Sequence, residues 1–283
     1  MVIMKFDLEK LPCFGVAGNF TGHLEQAGEA VEFQNVKTKE KNAPKAIFPT
    51  YIPNAKNPVP EFLGTFPFDS GKIIFPRGEE KLQIEPECAL ILNAEWNGGK
   101  LKSLVPVKFG ASNDCSIRKP GAKKISMKKN WGKCSKGLSE NLISIDDFSE
   151  SGNIAKYRIA CFLFRDGKIF EYGEDSAVKG YSYIFENLTN WLIEKFNTQK
   201  DEGTAENVGN YLASIGLPEQ IMVSIGATRY TEFGETNFLK DGDESIVILY
   251  PDKYSNTEVK EMAAENSFSD KGISVLRQKI ILQ

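Results

Sequence analysis

Eight short apolar runs between residues 72 and 282 constrain this chain more than any other feature. Each is too short for a buried helix, and together they are rich in β-branched and aromatic residues. Residues 72–75, 85–93 and 101–109 read as strands, as do 220–226, 246–250 and 273–282. Residues 157–164 turn at Asp166-Gly167 into 169–172, the pattern of a hairpin. Helical periodicity is confined to three stretches. In 183–197, Ile184, Phe185, Leu188, Trp191, Leu192 and Phe196 share one face at i, i+3/i+4 spacing, while 205–215 and 257–265 are shorter. Many strands with few, clustered helices predict an α+β, mostly β fold and not a doubly wound parallel sheet.

Pro53, Pro58, Pro60 and Pro67 suit irregular surface chain across 52–69. The lysine-rich stretch 31–45 reads as a mobile loop. The expected organisation is therefore a single core over residues 71–283, preceded by residues 1–70 as an N-terminal extension. No internal repeat is visible.

Composition narrows the class. Apolar residues make up 41% and charged residues 26%, which fits a globular chain and excludes a disordered or fibrous one. Lys+Arg number 35 against Asp+Glu 38, for a net charge of −3, so no phosphate-tracking surface is expected and nucleic acid is not a partner. No apolar run approaches the roughly 20 residues that span a bilayer, and residues 1–7 lack the pattern of a signal peptide. Five widely spaced cysteines (Cys13, Cys88, Cys115, Cys134, Cys161) with no Cys-x-x-Cys pair point to reduced thiols in a cytoplasm. The Asn-x-Thr triplets at Asn19 and Asn187 then carry no sugar.

One histidine occurs, His23, in Gly18-Asn19-Phe20-Thr21-Gly22-His23-Leu24-Glu25-Gln26-Ala27-Gly28-Glu29. Its ordinary pKa lies near physiological pH, which suits it to proton transfer. Gly18 and Gly22 let the backbone bend close to a ligand, and Glu25 or Glu29 stand where they could orient the ring. The plainer alternative is a surface histidine opening an amphipathic helix.

The carboxylates are more specific. Glu85-Pro86-Glu87 opens the most apolar strand, and residues i and i+2 on a strand face one side. Asn113-Asp114-Cys115-Ser116-Ile117-Arg118 follows the next strand and supplies a third carboxylate. Three carboxylates without a histidine or thiolate cluster make a hard, oxygen-rich site suited to Mg²⁺, Mn²⁺ or Ca²⁺. Lys129 offers either a counter-charge or a solvated basic loop, and Cys115 is a nucleophile only if its surroundings activate it.

In this order, Gly-Asn-aromatic-x-x-His, the Pro-rich stretch, Glu-x-Glu, Asn-Asp-x-Ser-x-Arg, Lys-x-aromatic, the helix at 183–197, a Gly-containing strand end and Leu239-x-x-Gly-Asp243 resemble the fumarylacetoacetate hydrolase superfamily. The likeness runs from about Phe14 to Tyr250. It implies a mixed β-sandwich or β-roll with a few peripheral helices. It also implies a divalent ion on Glu85, Glu87 and Asp114, and chemistry on a small 2-oxo or 1,3-dioxo acid: C–C cleavage, decarboxylation or tautomerisation. His23 takes the position of the general base. Lys129 takes a catalytic position that could neutralise carboxylate or oxyanion charge, Arg118, Asn113 and Thr228 take positions that bind the substrate, and a homodimer is implied by the resemblance alone.

The sequence also departs from the family. His-x-x-Glu is here His23-x-x-Gln26, with the acid one place early at Glu25, and a shift of one on a helix turns a side chain by about 100°. The family's Thr-Gly-Thr-Pro segment is here Ile225-Gly226-Ala227-Thr228. These departures leave a second expectation open, a catalytically weak or inactive protein that binds a small acidic metabolite.

Overall fold

A computed structural model describes residues 7–28, 40, 42–119 and 121–283. Two sheets carry most of the strands. The strands of the first half are β1 (Cys13–Ala17), β2 (Ala46–Tyr51), β3 (Lys72–Phe75), β4 (Leu82–Gln83), β5 (Pro86–Asn97), β6 (Lys100–Asn113) and β7 (Ser116–Ile117). Those of the second half are β8 (Gly137–Leu138), β9 (Ile143–Ser144), β10 (Tyr157–Arg165), β11 (Lys168–Ala177), β12 (Gln220–Ala227), β13 (Glu244–Pro251) and β14 (Ser274–Leu282). The helices are α1 (His23–Gln26), α2 (Phe185–Thr198), α3 (Val208–Ser214), α4 (Glu232–Thr236) and α5 (Asn256–Glu265). None among the described residues is long and apolar enough to cross a membrane.

The larger sheet runs β2-β1-β12-β5-β6-β8 with β9 paired to β6, and the smaller runs β11-β10-β13-β14-β3. The period of two along the strands decides how they stack. In β10, Ile159, Cys161 and Leu163 enter the principal core, while Ala160 and Phe162 face the other way. In β13, Val247 and Leu249 turn inward, and Ile246, Ile248 and Tyr250 meet Val259 and Ala263 of α5. The same alternation in β5 sends Cys88, Leu90 and Leu92 into the principal core and Ala89 and Ile91 to the opposite face. The result is two curved sheets sharing one core, with helices on the outside, the α+β, mostly β architecture expected. The amphipathic stripe of α2 is realised too: Leu188, Trp191, Leu192 and Phe196 are buried in the principal core, and Phe196 meets Phe14 edge-on at 5.0 Å.

The N-terminal part differs from the expectation. Residues 1–70 contribute two strands to the larger sheet, and β1 lies between β2 and β12. Every residue of β1 is buried, so no alternation marks it in the sequence. Strand β2 contains Pro49, which lacks a ladder donor and is tolerated because β2 forms the edge. Gly15 of β1 is needed for this pairing, because a Cβ there would stand 2.3 Å from Cζ of Phe48. The expected loop at 31–45 lies largely outside the described residues. Residues 52–69 are irregular apart from a 3-10 turn at Glu61–Gly64, as their prolines require.

Candidate metal centre

Antiparallel pairing of β5 with β6 creates the site. Pro86 stands opposite Asn113 and Glu87 opposite Ser112, and the Asp114 N–H donates to the Glu85 carbonyl at 3.1 Å. The mouth of one strand therefore meets the end of the other, and carboxylates 27 or more residues apart in sequence become neighbours. Oxygen atoms of Glu85, Glu87 and Asp114 lie within 4.8 Å of one another, and all three residues are buried.

Two buried lysines and a partly buried arginine surround them. Lys129 Nζ stands 2.5 Å from Glu85 Oε2 and 2.7 Å from Asp114 Oδ2. Arg118 Nη1 reaches Glu85 Oε1 at 2.7 Å. Lys136 Nζ lies 3.2 Å from Asp114 Oδ1 and donates to the Cys115 carbonyl, 5.1 Å from the centre of the Trp131 ring. Burial pushes the Glu85 carboxyl up, but the charges of Lys129 and Arg118 outweigh it and hold the group well below the usual range. Burial drives Glu87 the opposite way, well above that range, reinforced by the like charges of Asp114 and Glu85. Among the described residues no ion pair reaches Glu87, whose Oε2 accepts from the Gly226 N–H at 2.9 Å. Gly226 has φ +114, and a Cβ there would stand 3.1 Å from that of Asn19, so glycine lets the backbone turn its N–H to the carboxylate.

Lys129 reaches this point because the 3-10 turn Ile125–Lys128 is fastened beneath it. The Ser126 hydroxyl donates to Glu206 Oε1 at 2.8 Å, and the Ser126 carbonyl accepts from the N–H groups of Lys129 and Asn130, each at 3.0 Å. Lys129 is thus a counter-charge and not part of a solvated loop.

His23 opens α1 and is buried, so it is not a surface histidine. Its ring stands 5.2 Å from that of Tyr230. It lines a cavity with Glu85, Glu87 and Lys129, and its charge also helps to hold the Glu85 carboxyl low. The segment before it is anchored by Asn19, whose buried amide donates to the carbonyls of Tyr183 and Ile225 and accepts from the Tyr183 N–H. The cavity measures about 20 Å³, room for about one water molecule.

Several expected site residues stand elsewhere. Glu25 is exposed, as the one-residue shift on the helix requires, and Glu29 lies outside the described residues. Asn113 does not face the cavity: its amide accepts from the Glu85 N–H and donates to Ser245 and Gln278, bracing the strand end that bears the carboxylates. Arg118 donates to Gln83 Oε1 and to the Tyr230 hydroxyl besides pairing with Glu85, so it aims that carboxylate from behind. Thr228 is buried and its N–H donates to the Pro86 carbonyl, while its neighbour Ala227 lines the cavity. Burial pushes the Cys115 thiol up to about 12, which leaves it no nucleophile. Lys136, Gln83 and Tyr230 escape the sequence reading. Lys136 lies in a lysine-rich stretch that looks solvated, and the other two carry no motif.

Residues 29–280 match the model of a family of unknown function, DUF5718. No curated protein matches the chain. Among solved structures, it is similar to 2-keto-3-deoxy-D-arabinonate dehydratase complexed with magnesium and 2,5-dioxopentanoate, at 14% identity over 97% of this chain and 74% of that one (TM-score 0.55). A fumarylacetoacetate hydrolase family protein of yeast matches at 15% identity, covering 97% of this chain and 94% of its own (TM-score 0.53). A 5-carboxymethyl-2-hydroxymuconate delta-isomerase from Mycobacterium smegmatis matches at 12%, covering 96% and 79% (TM-score 0.51). The chain belongs to the DUF5718 family and has the fold of the fumarylacetoacetate hydrolase superfamily.

Proposed function

We propose that the protein is an enzyme dependent on a divalent cation, Mg²⁺ or Mn²⁺, that acts on a small 2-oxo or 1,3-dioxo acid by C–C cleavage, decarboxylation or tautomerisation. The observation that carries this reading is the approach of three buried carboxylates to within 4.8 Å, two of which, Glu85 and Glu87, line a cavity together with the single histidine. The donor set fits a hard cation: it is all oxygen, and among the described residues no ion pair reaches Glu87. Similar folds belong to enzymes named for keto acids, one of them complexed with magnesium.

Glu85, Glu87 and Asp114 would hold the ion, which would supply Lewis acidity toward a carbonyl oxygen. The remaining work falls to the chain itself. The His23 imidazole takes a proton from, or returns one to, a group held in the cavity. Lys129 presents a positive charge to a substrate carboxylate or a developing oxyanion. Arg118 fixes the direction of Glu85, and the wall formed by Leu24 and Phe48 keeps bulk water out.

A second reading, a catalytically weak binder of a small acidic metabolite, draws support from Glu25, which is exposed, and from Gln26, whose amide is committed to the Tyr230 backbone. Thermal unfolding with Mn²⁺, then with Mn²⁺ and oxalate, tests the site common to both. The expected result is stabilisation by the metal, a further rise with oxalate only when metal is present, and loss of both in Glu87→Gln. No response to any divalent ion overturns the proposal. Turnover of oxaloacetate or an acylpyruvate then separates enzyme from binder.

A further inference from the structure

The wall of the cavity is chemically one-sided. His23, Lys129 and the carboxylates of Glu85 and Glu87 occupy part of it, and Val16, Ala17, Leu24, Phe48, Ile125 and Ala227 form the rest with Gly18. Among the described lining residues none carries a hydroxyl or an amide side chain. Four of the apolar residues, Ala17, Leu24, Phe48 and Ile125, form with Ala46 a cluster of their own, separate from the three larger cores. They come from four different parts of the fold: β1, α1, β2 and the 3-10 turn that carries Lys129. The Phe48 ring is seated by the missing Cβ of Gly15 and lies 5.3 Å from Lys129 Nζ. An apolar surface is thus set directly against the ionic end of the cavity.

We infer that this cluster is the subsite for the carbon tail of the substrate, and that the substrate is a 2-oxo acid with a short, unhydroxylated alkyl chain. The inference rests on the proposed function, which puts the oxo-acid head at the carboxylates and Lys129. A tail hydroxyl would be desolvated against Leu24, Phe48 and Ile125, with no hydroxyl or amide side chain among the described lining residues to pair with, at a cost of about tenfold in affinity each. An added methylene in the same place strengthens binding about fourfold. The wall therefore selects against sugar acids and for alkyl acids.

Calorimetric titration of the full chain with Mn²⁺ tests this, using pyruvate, 2-oxobutanoate, 2-oxopentanoate and 2-keto-3-deoxy-D-arabinonate. The expected result is affinity rising about fourfold per carbon, with the sugar acid binding no more tightly than pyruvate. Ile125→Ser and Leu24→Ser should flatten the alkyl series. A sugar acid that binds as tightly as 2-oxopentanoate, or a flat series in the unsubstituted protein, overturns the inference and leaves the proposed function standing. Mn²⁺ binding with no response to any of the acids removes the proposed function, and this inference with it.

Discussion

The side-chain amide of Gln26 pairs with both backbone groups of Tyr230: it accepts from the Tyr230 N–H at 2.9 Å and donates to the Tyr230 carbonyl at 3.1 Å. Gln26 ends the single turn of helix that His23 begins, so this pair fixes the histidine over the carboxylates. Tyr230 is fixed in turn, its hydroxyl donating to the Ile84 carbonyl and accepting from Arg118 Nη2. A cavity with room for about one water must open to admit an acid, and the short helix supplies His23 and Leu24 to its wall.

Replacement of Gln26 tests that latch. A glutamate can accept from the Tyr230 N–H but sets a second acceptor against its carbonyl, so Gln26→Glu removes one bond and adds a repulsion. The expected loss is about 1–3 kcal/mol, concentrated in the short helix. Hydrogen exchange at residues 23–27 should accelerate while β5 and β12 stay protected. Unchanged exchange across the turn would show that other contacts hold it.

His23→Ala separates binding from chemistry. The imidazole is not among the clustered carboxylate donors, so Mn²⁺ affinity in the variant should stay within about threefold. A general base contributes about 10²–10⁴-fold, so kcat for oxaloacetate or an acylpyruvate should fall by at least a hundredfold. Undiminished kcat removes the histidine from the mechanism.

Glu206 gives the fold a pH dependence separate from that of the clustered carboxylates. It is buried beside Ser126, and burial pushes its carboxyl up from the usual range to about 7. An acid whose folded pKa is raised is most stable when protonated. Its contribution is complete below the unfolded value near 4.5, erodes as pH rises, and levels off above about 7. The total erosion is about 3 kcal/mol. Glu206→Gln keeps an acceptor for Ser126 without the charge, so the variant should gain on the unsubstituted protein between pH 5 and 8 in urea unfolding. Parallel stability curves over that range would refute the assignment.

Legibility in the sequence followed how local each signal was. Glu85 and Glu87 were visible because the strand period puts them on one side, and Asp114 because it ends the next strand. Strands β10 and β13 announced themselves by length and composition, though both sides of each are buried. Strands β1 and β2 did not, since Cys13–Ala17 is buried throughout and Pro49 argues against a strand away from an edge. The roles of Arg118 and Asn113 depended on partners over 100 residues distant, Tyr230 for one and Ser245 and Gln278 for the other. Motif spacing placed both residues at the site but could not say which way they faced. Gln26 looked like a lost glutamate because its partner lies 204 positions away.

Lys136 is the residue on which the electrostatics of the site turn. Arg118 and Lys129 pair with Glu85, and Lys129 and Lys136 with Asp114. A divalent ion entering this set must therefore compete with ammonium groups already seated on its ligands. Lys136→Met preserves the stem against Trp131 and removes one competitor, leaving Asp114 to Lys129 alone. Breaking a buried pair costs about 3–5 kcal/mol, so the metal-free variant should unfold at lower urea than the unsubstituted protein. The same change takes one positive charge from Asp114, so Mn²⁺ should bind more tightly and restore a larger part of the stability than it adds to the unsubstituted protein. Urea titrations with and without Mn²⁺ read both effects together. An equal metal increment in the two proteins would show that Lys136 braces Asp114 without opposing the ion.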